Sequence, residues 1–147
     1  RTRRPKPSAR PRPRVTPARP VGPRAEVVRL ANLRRVRNGC PPLREDPRLT
    51  RAAQRHSDDM AARGVLSHTG RDGRDPGARI TAAGYRWSAW AENVQQGAPA
   101  PASVTASWMG DAPHRANILT CRYTEVGVGY AAGPGGPWWT QDLAAPG

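Results

Sequence analysis

At 147 residues, with a formal charge of +13 and 37% apolar residues, the chain has room for one domain with a core. No run of about 18 apolar residues occurs, which excludes a transmembrane helix. Nine of the 24 basic residues fall in the first 24 positions with seven prolines and no acid. The other 15 stand against all 11 acids, so the net charge from Ala25 onward is only +4.

Residues 1–24 read as a disordered Pro/Arg-rich basic tail or linker, because almost no large apolar side chain is present to offset the entropy of ordering. Such a tail suits an anionic cell-surface polymer or a membrane surface. The body, residues 25–147, has neither an aromatic-interleaved basic face nor zinc-finger spacing, so no specific nucleic acid is expected as partner. Phe is absent and Trp occurs five times, so the core must rest on Trp, small aliphatics and Ala. The sequence begins at Arg1 without Met, as it would after removal of a signal peptide, and that removal is the expectation.

In chain order, Val27, Leu30, Leu33 and Val36 recur every third residue, with Ala31 beside them. A helix is therefore expected over about 25–38, its arginines facing solvent and Gly39 stopping it. Asn32, next to that stripe, reads as a backbone hydrogen-bonder. Cys40-Pro41-Pro42-Leu43 is an extended connector. Asp46 and Pro47 then announce a second helix as N-cap and first residue. Leu49, Ala52, Ala53, His56 and Met60 form its inner stripe and Gly64 ends it. His56 lies on that stripe and reads as a packed core histidine, whereas His68, after the helix, is free to face a cleft.

Asp75 and Pro76 start a short helix that turns Ile80 and Ala83 inward and stops at Gly84. Tyr85-Arg86-Trp87 and Trp90-Ala91-Glu92-Asn93-Val94 read as extended or turning, which makes Glu92 the acid most clearly held inside. A helix over about 102–109 carries Val104 and Trp108 inward.

It leads into Trp108-Met109-Gly110-Asp111-Ala112-Pro113-His114-Arg115-Ala116-Asn117-Ile118-Leu119, a polar group between apolar anchors that carries one of the three histidines. Either this is a site held in one geometry by its anchors, or it is a capped helix end with Asp111 as N-cap and Pro113 in the first turn. Finally Val126, Val128 and Tyr130 alternate with Gly127 and Gly129. The run Gly133-Pro134-Gly135-Gly136-Pro137 turns the chain into Trp138–Leu143, so a hairpin is expected, its strand glycines admitting close approach of another backbone.

The two cysteines, Cys40 and Cys121, allow a bridge closing about 80 residues and worth at most about 4.5 kcal/mol by loop entropy, or two buried thiols in a reducing compartment. Residue chemistry alone leaves both open.

The ordered marks Asn32-x-x-Arg35, Cys40-Pro41-Pro42-Leu43, His56-Ser57-x-Asp59-Met60-Ala61, Ser67-His68, Glu92-Asn93-Val94, Trp108-Met109, His114-Arg115-x-Asn117-Ile118-Leu119, Glu125-Val126-Gly127-Val128-Gly129 and Trp139-Thr140-Gln141-Asp142 resemble the CAP superfamily, and most of all its bacterial SCP-like extracellular branch. The resemblance spans Glu26 to Leu143. It implies an α+β fold, a three-layer α-β-α sandwich, and a secreted, extracellular or cell-wall-associated protein. A Cys40–Cys121 disulfide follows from that compartment. It also implies a central cleft lined by His68, Glu92, Asp111 and His114, with Asn93, Trp108 and Asn117 around them. Asp111 stands where relatives often have Glu, one methylene shorter in reach. Ala91 and Pro113 stand where Gly is usual and restrict the backbone.

His68 and His114 have the chemistry to hold zinc or another divalent cation weakly, with water and Asp111 completing the shell. Three function classes follow. The favoured one is a ligand-binding module, its cleft walled by Trp87, Trp90 and Trp108 and taking a lipid, glycan or peptide. A metal-dependent peptide or ester hydrolase would use His68 and His114 with Glu92 as base. A cell-wall scaffold would be held by its tail. No nucleophile elbow or zinc-protease helix motif occurs, so turnover is the lesser expectation, and a monomer is expected.

Overall fold

The computed structural model describes residues 22–147, so most of the proline-arginine tail lies outside the described residues. The elements are α1 (Pro23–Arg37), β1 (Arg44–Glu45), α2 (Pro47–Arg63), α3 (Pro76–Ala82), β2 (Trp87–Gln96), α4 (Pro101–Met109), α5 (Ala112–Ile118), β3 (Glu125–Ala131) and β4 (Trp138–Pro146). One four-stranded sheet has the order β1-β3-β4-β2. Strand β4 pairs antiparallel with both β3 and β2, while β1 joins β3 in parallel through two residues.

Alternation along the strands sorts residues to two faces. Val126, Val128, Trp139 and Leu143 pack with Val27, Val28 and Ala31 of α1 and Val104 and Trp108 of α4. On the opposite face, Leu49, Ala52 and Met60 of α2 and Ile80 of α3 meet Tyr85, Val94, Trp138 and Ala144. These layers make the α-β-α sandwich. No helix among the described residues is long and apolar enough to cross a membrane.

Local punctuation acts where it stands in the sequence. Asp46 caps α2 by accepting from Arg48 N (2.9 Å), Pro47 follows, and Gly64 closes the helix at φ 66°. The helix α2 lies directly on the strand glycines: a Cβ on Gly127 would overlap the backbone of Leu49 and Thr50, and one on Gly129 that of Ala53. Absence of side chains there is what lets helix and sheet approach so closely.

The helix α1 differs from its expected stripe. Its buried residues are Val27, Val28, Ala31 and Arg35, whereas Leu33 is 44% and Val36 58% exposed. Steps of three residues drift about 60° around a 3.6-residue helix each time, so the every-third-residue pattern leaves the inner face within three steps. The helix also starts two residues before the expected boundary, with Pro23 in its first turn.

The expectation that all arginines of α1 face solvent is overturned at Arg35, which is wholly buried. Its guanidinium donates to the carbonyls of Pro41 (3.1 Å), Ile118 (2.7 Å), Thr120 (3.0 Å) and Tyr123 (2.7 Å), tying two irregular segments to the helix. Burial lowers its pKa, and the ring of carbonyls supplies the hydrogen bonds that water no longer does. Asn32 is a backbone hydrogen-bonder as expected, bracketing Leu43 through both N–H and C=O (2.7 and 3.1 Å) and leading the chain into β1. The Cys40–Cys121 disulfide joins the end of α1 to the turn before β3, 81 residues on, and among the described residues no cysteine is free.

Candidate functional site

Strand β2 runs along one edge of the sheet and sends alternate polar residues to its two faces, Glu92 to one and Asn93 to the other. Each meets a different set of partners.

Glu92 points to the α2/α3 layer with a side chain only 1% exposed. Three elements converge on it. Asp75 caps α3 by accepting from Ala78 N (2.7 Å), and the helix so started aims Arg79 at the sheet. The Arg79 guanidinium grips both carboxylate oxygens, at 2.9 Å each, and also donates to the His68 carbonyl (2.8 Å). His68, in the loop after Gly64, donates from Nδ1 to Glu92 Oε1 (2.9 Å). His56, on α2, lies 3.9 Å from the same oxygen but is a packed histidine as expected, its Nε2–H donating to the Ser67 carbonyl (2.6 Å). Directly across the β2/β4 ladder sits Asp142, fully buried, with Oδ2 3.9 Å from Arg79.

Protonation follows from this arrangement. Burial alone would push Glu92 up, but the hydrogen bonds from His68, Asp142 and Arg79 and the arginine's charge outweigh it and hold Glu92 well below the usual carboxylate range. Asp142 goes the other way: burial, and then the Glu92 charge, raise it well above its ordinary value despite Arg79. The two carboxyls thus shift in opposite directions, and the arrangement favours the negative charge on Glu92, beside Arg79. Burial lowers the pKa of His56, keeping its ring neutral.

On the other face, Asn93 donates to the His114 carbonyl (3.2 Å) and to Gln141 Oε1 (3.1 Å), and its own carbonyl oxygen accepts from Asn117 (2.8 Å). Asn117 also reaches the Glu92 backbone carbonyl (3.4 Å). This network fastens α5 to β2. The twelve-residue stretch around His114 is thus a helical turn and not a loop, with Pro113 in its first turn. Asp111 holds the N-cap position without capping. Its carboxylate instead lies 2.6 Å from His114 Nδ1, and both side chains remain partly exposed.

The expected cleft residues therefore form two carboxylate-imidazole pairs, His68–Glu92 and His114–Asp111, linked through Asn93 and Asn117. A cavity of about 430 Å³ opens over the β2 edge, lined by His68, Pro76, Trp90, Ala91, Glu92, Asn117 and Tyr123. Trp108 is not a cleft wall: it is 1% exposed, and its Nε1–H donates to the Val94 carbonyl (3.1 Å) inside the core. Its place on the inward face of α4, expected from spacing, leaves it no route to the surface. Trp87 lines a separate hollow with Thr81 and Tyr85 and stands edge-on to Trp90 at 6.4 Å.

Arg79, Asp142 and Tyr123 are the residues that sequence reasoning missed. Asp142 had a signal, since it alternates in phase with Trp138, Thr140 and Ala144, on the face opposite Trp139 and Leu143. Arg79 had only its position next to the inward Ile80.

Among the described residues no three His, Cys, Asp or Glu side chains are grouped to hold a metal. Glu92 is committed to Arg79, whose charge would repel a cation there. The side-chain nitrogens left for an external partner are the Nε2 atoms of His68 and His114, since each Nδ1 lies against a carboxylate.

The cysteine-rich secretory protein family model, CAP, matches residues 28–143. An uncharacterized protein of Bacillus subtilis, YkwD, is 32% identical over 118 residues, which are 80% of this chain and 45% of that protein. Two solved structures share the fold. An extracellular protein containing an SCP domain from Bacillus anthracis superposes with a TM-score of 0.78 at 24% identity, over 83% of this chain and 40% of that one. An outer surface protein of Borrelia burgdorferi does so with a TM-score of 0.76 at 14% identity, over 82% of this chain and 90% of that one. The chain thus spans less than half the length of the two Bacillus proteins. The disulfide pairing, the α-β-α layers and a family match over most of its length place this chain in the cysteine-rich secretory protein (CAP) family.

Proposed function

We propose that this domain is an exported ligand-binding module, whose cavity over the β2 edge takes the apolar body of a lipid, glycan or peptide ligand and holds its polar end at His68 and Asn117. The observation that carries this reading is the state of Glu92. A general base needs a carboxylate or imidazole whose proton affinity suits neutral pH. Glu92 is instead clamped by Arg79 and His68 with its affinity for protons lowered, so it serves to orient His68 and not to accept protons. That favours binding over hydrolysis in this cleft. Apolar surface from Pro76, Trp90, Ala91 and the Tyr123 ring next to two polar groups is the composition of a small-molecule site.

Export is supported by the disulfide, which persists in oxidising compartments, and by the extracellular and outer-surface relatives. Adhesion through the basic tail concerns residues outside the described ones. Salt tests it, because tail-driven adhesion weakens steeply with ionic strength and is lost on deletion of residues 1–24.

Isothermal calorimetry provides the assay. A fatty acid, a phospholipid, a disaccharide and a short peptide are each titrated against the domain, alongside His68→Ala and Trp90→Ala. Saturable binding of one class that both substitutions weaken at least tenfold is the expected result. Absence of saturable binding by any class, or binding indifferent to both changes, overturns the reading.

A second reading, a loosely held divalent cation, is favoured by the two imidazoles themselves. Each has its Nδ1 against a carboxylate and its Nε2 left for another partner, the arrangement that metal-ligating histidines commonly have. When bound, such an ion would supply Lewis acidity at the cleft mouth. Calorimetric titration of the metal-stripped domain with zinc, beside His68→Ala and His114→Ala, tests it. One weak, exchangeable site lost in both variants supports the reading, and retention in either variant refutes it.

A further inference from the structure

Three polar atoms on residues lining the cavity over the β2 edge have no hydrogen-bond partner among the described residues and are not buried. Asn117 gives its Nδ2 hydrogens to Asn93 Oδ1 (2.8 Å) and to the Glu92 carbonyl (3.4 Å), which leaves Oδ1 to accept. His68 turns Nδ1 to the Glu92 carboxylate (2.9 Å), which leaves Nε2, on a side chain 53% exposed, to accept in the neutral ring. The Nε1–H of Trp90, unlike those of Trp87, Trp108 and Trp139, meets no acceptor among the described residues and can only donate.

These atoms discriminate among ligands. An extended peptide joins a sheet edge through its main chain. The outward carbonyls of Trp90, Glu92 and Val94 are already taken, by the Tyr123 hydroxyl (3.2 Å), Asn117 Nδ2 (3.4 Å) and Trp108 Nε1–H (3.1 Å), so β2 cannot pair with an added strand. A fatty acid carboxylate would set acceptor against acceptor at Asn117 and His68. A lipid with one hydroxyl satisfies one of the three atoms and covers the others unpaired, which costs binding energy. A pyranose has several hydroxyls, each able to donate and accept, and a C–H face for apolar walls.

The tryptophans extend that wall. Strand β2 carries one extra residue between Trp87 and Ala89, so Trp87, opposite Pro146, falls on the same face as Trp90, opposite Ala144. The two rings stand edge-on at 6.4 Å. Trp87 is fixed by its Nε1–H, which donates to the Gly77 carbonyl (3.1 Å) and Thr81 Oγ1 (3.0 Å), yet 39% of it stays exposed. A rigid, open indole beside the cavity is a stacking surface at little entropic cost.

We propose, resting on the ligand-binding reading above, that the ligand of this cleft is a glycan. One pyranose ring fills the cavity of about 430 Å³, its hydroxyls donating to Asn117 Oδ1 and His68 Nε2 and accepting from Trp90 Nε1–H. The next ring of the chain stacks on Trp87.

The test uses the full chain at about pH 7.5 and roughly 0.15 M salt, where an imidazole of ordinary pKa is mostly neutral and diffuse attraction is screened. Maltose, N,N′-diacetylchitobiose, laurate and trialanine are titrated by calorimetry, and the tryptophan indole N–H signals are followed by ¹H–¹⁵N NMR. The expected result is saturable binding of a disaccharide, with the Trp90 indole signal moving to saturation and that of Trp108, already bonded in the core, unmoved. His68→Ala weakens that binding about tenfold, and Trp87→Ala, at an exposed ring, at least about threefold. Binding of laurate or trialanine tighter than either sugar, with the Trp90 signal moving, overturns the glycan and leaves the ligand-binding reading standing. An immobile Trp90 signal under a bound sugar, or sugar binding indifferent to both substitutions, overturns the proposal. No saturation by any of the four at roughly 10 mM overturns both.

Discussion

Replacing Arg79 by Met tests whether the Glu92 cluster is held together as described. Met roughly keeps the length and apolar stem of arginine but removes the hydrogen bond and the ion-pair contact to the Glu92 carboxylate and the bond to the His68 carbonyl. Glu92, with 1% of its side chain exposed, would keep only His68 and Asp142 as partners. Breaking a buried ion pair from one side costs about 3–5 kcal/mol, because the remaining charge stays desolvated. Urea unfolding at about pH 7.5 should therefore show Arg79→Met destabilised by about 3–5 kcal/mol, with an unchanged denaturant slope.

The pH dependence has a definite sign. In the wild type the folded Glu92 pKa lies below its ordinary value of 4.5, so its stabilising contribution is present above that value and is lost as pH falls toward the folded pKa. Without Arg79 the folded pKa rises, and the variant regains stability as pH falls to about 4.5, where the carboxyl takes up a proton. The deficit should narrow on acidification. It should also shrink to about 1 kcal/mol or less in the double variant Arg79→Met/Glu92→Gln, where no buried charge is left unpaired. A loss under about 1 kcal/mol in the single variant, or an equal loss in the double one, would falsify the account of Glu92 as an arginine-held buried anion.

Asp142→Asn removes a titration while keeping an N–H to donate toward Glu92. Because the folded Asp142 pKa is raised above its ordinary 3.8, folding of the wild type takes up a proton above that pH, and its stability declines as pH rises toward the folded pKa, by up to about 1.4 kcal/mol per pH unit. The variant should lack that decline and gain on the wild type as pH rises above about 4 in chemical denaturation, and parallel curves would refute the raised Asp142 pKa. Gly127→Ala should cost about 3 kcal/mol or more in the same assay, since its Cβ meets the backbone of Leu49 and Thr50 and not a flexible side chain. A near-neutral result would mean that α2 is free to lift. Replacing Cys40 and Cys121 together by Ser should lower stability by at most about 4.5 kcal/mol, the loop-entropy limit for an 81-residue separation, and a loss under 1 kcal/mol would show that the bridge closes a loop already restrained in the unfolded chain.

Much of the molecule was readable residue by residue, because the signals were local. Asp46-Pro47 and Asp75-Pro76 start helices wherever they occur, since cap and fixed φ act within one turn. The alternation of Val126, Val128 and Tyr130 sets a strand through the same period-two geometry. The inner stripe of α2 came out as expected because its spacing alternates threes and fours. That of α1 did not, because a spacing of three alone winds off the face. Of the residues that the resemblance named, His68, Glu92 and Asn117 line one cavity, Asp111 and His114 do not line it, and Trp108 lies in the core, since a polar flank says nothing about which side of a tryptophan is covered.

What the sequence by itself determined about this protein is its capped helices, the hairpin and the close helix-to-sheet approach at the strand glycines. Only the tertiary structure decided that Arg35 is buried and that Arg79 and Asp142 share the Glu92 site. It alone decided that His114 pairs with Asp111 while His68 pairs with Glu92. Pattern reading assigns every charged side chain to solvent unless a local reason stops it. A guanidinium goes inside only where segments distant in sequence bring it carbonyls or carboxylates in the right geometry, as Ile118, Thr120 and Tyr123 do for Arg35 and as Glu92 does for Arg79.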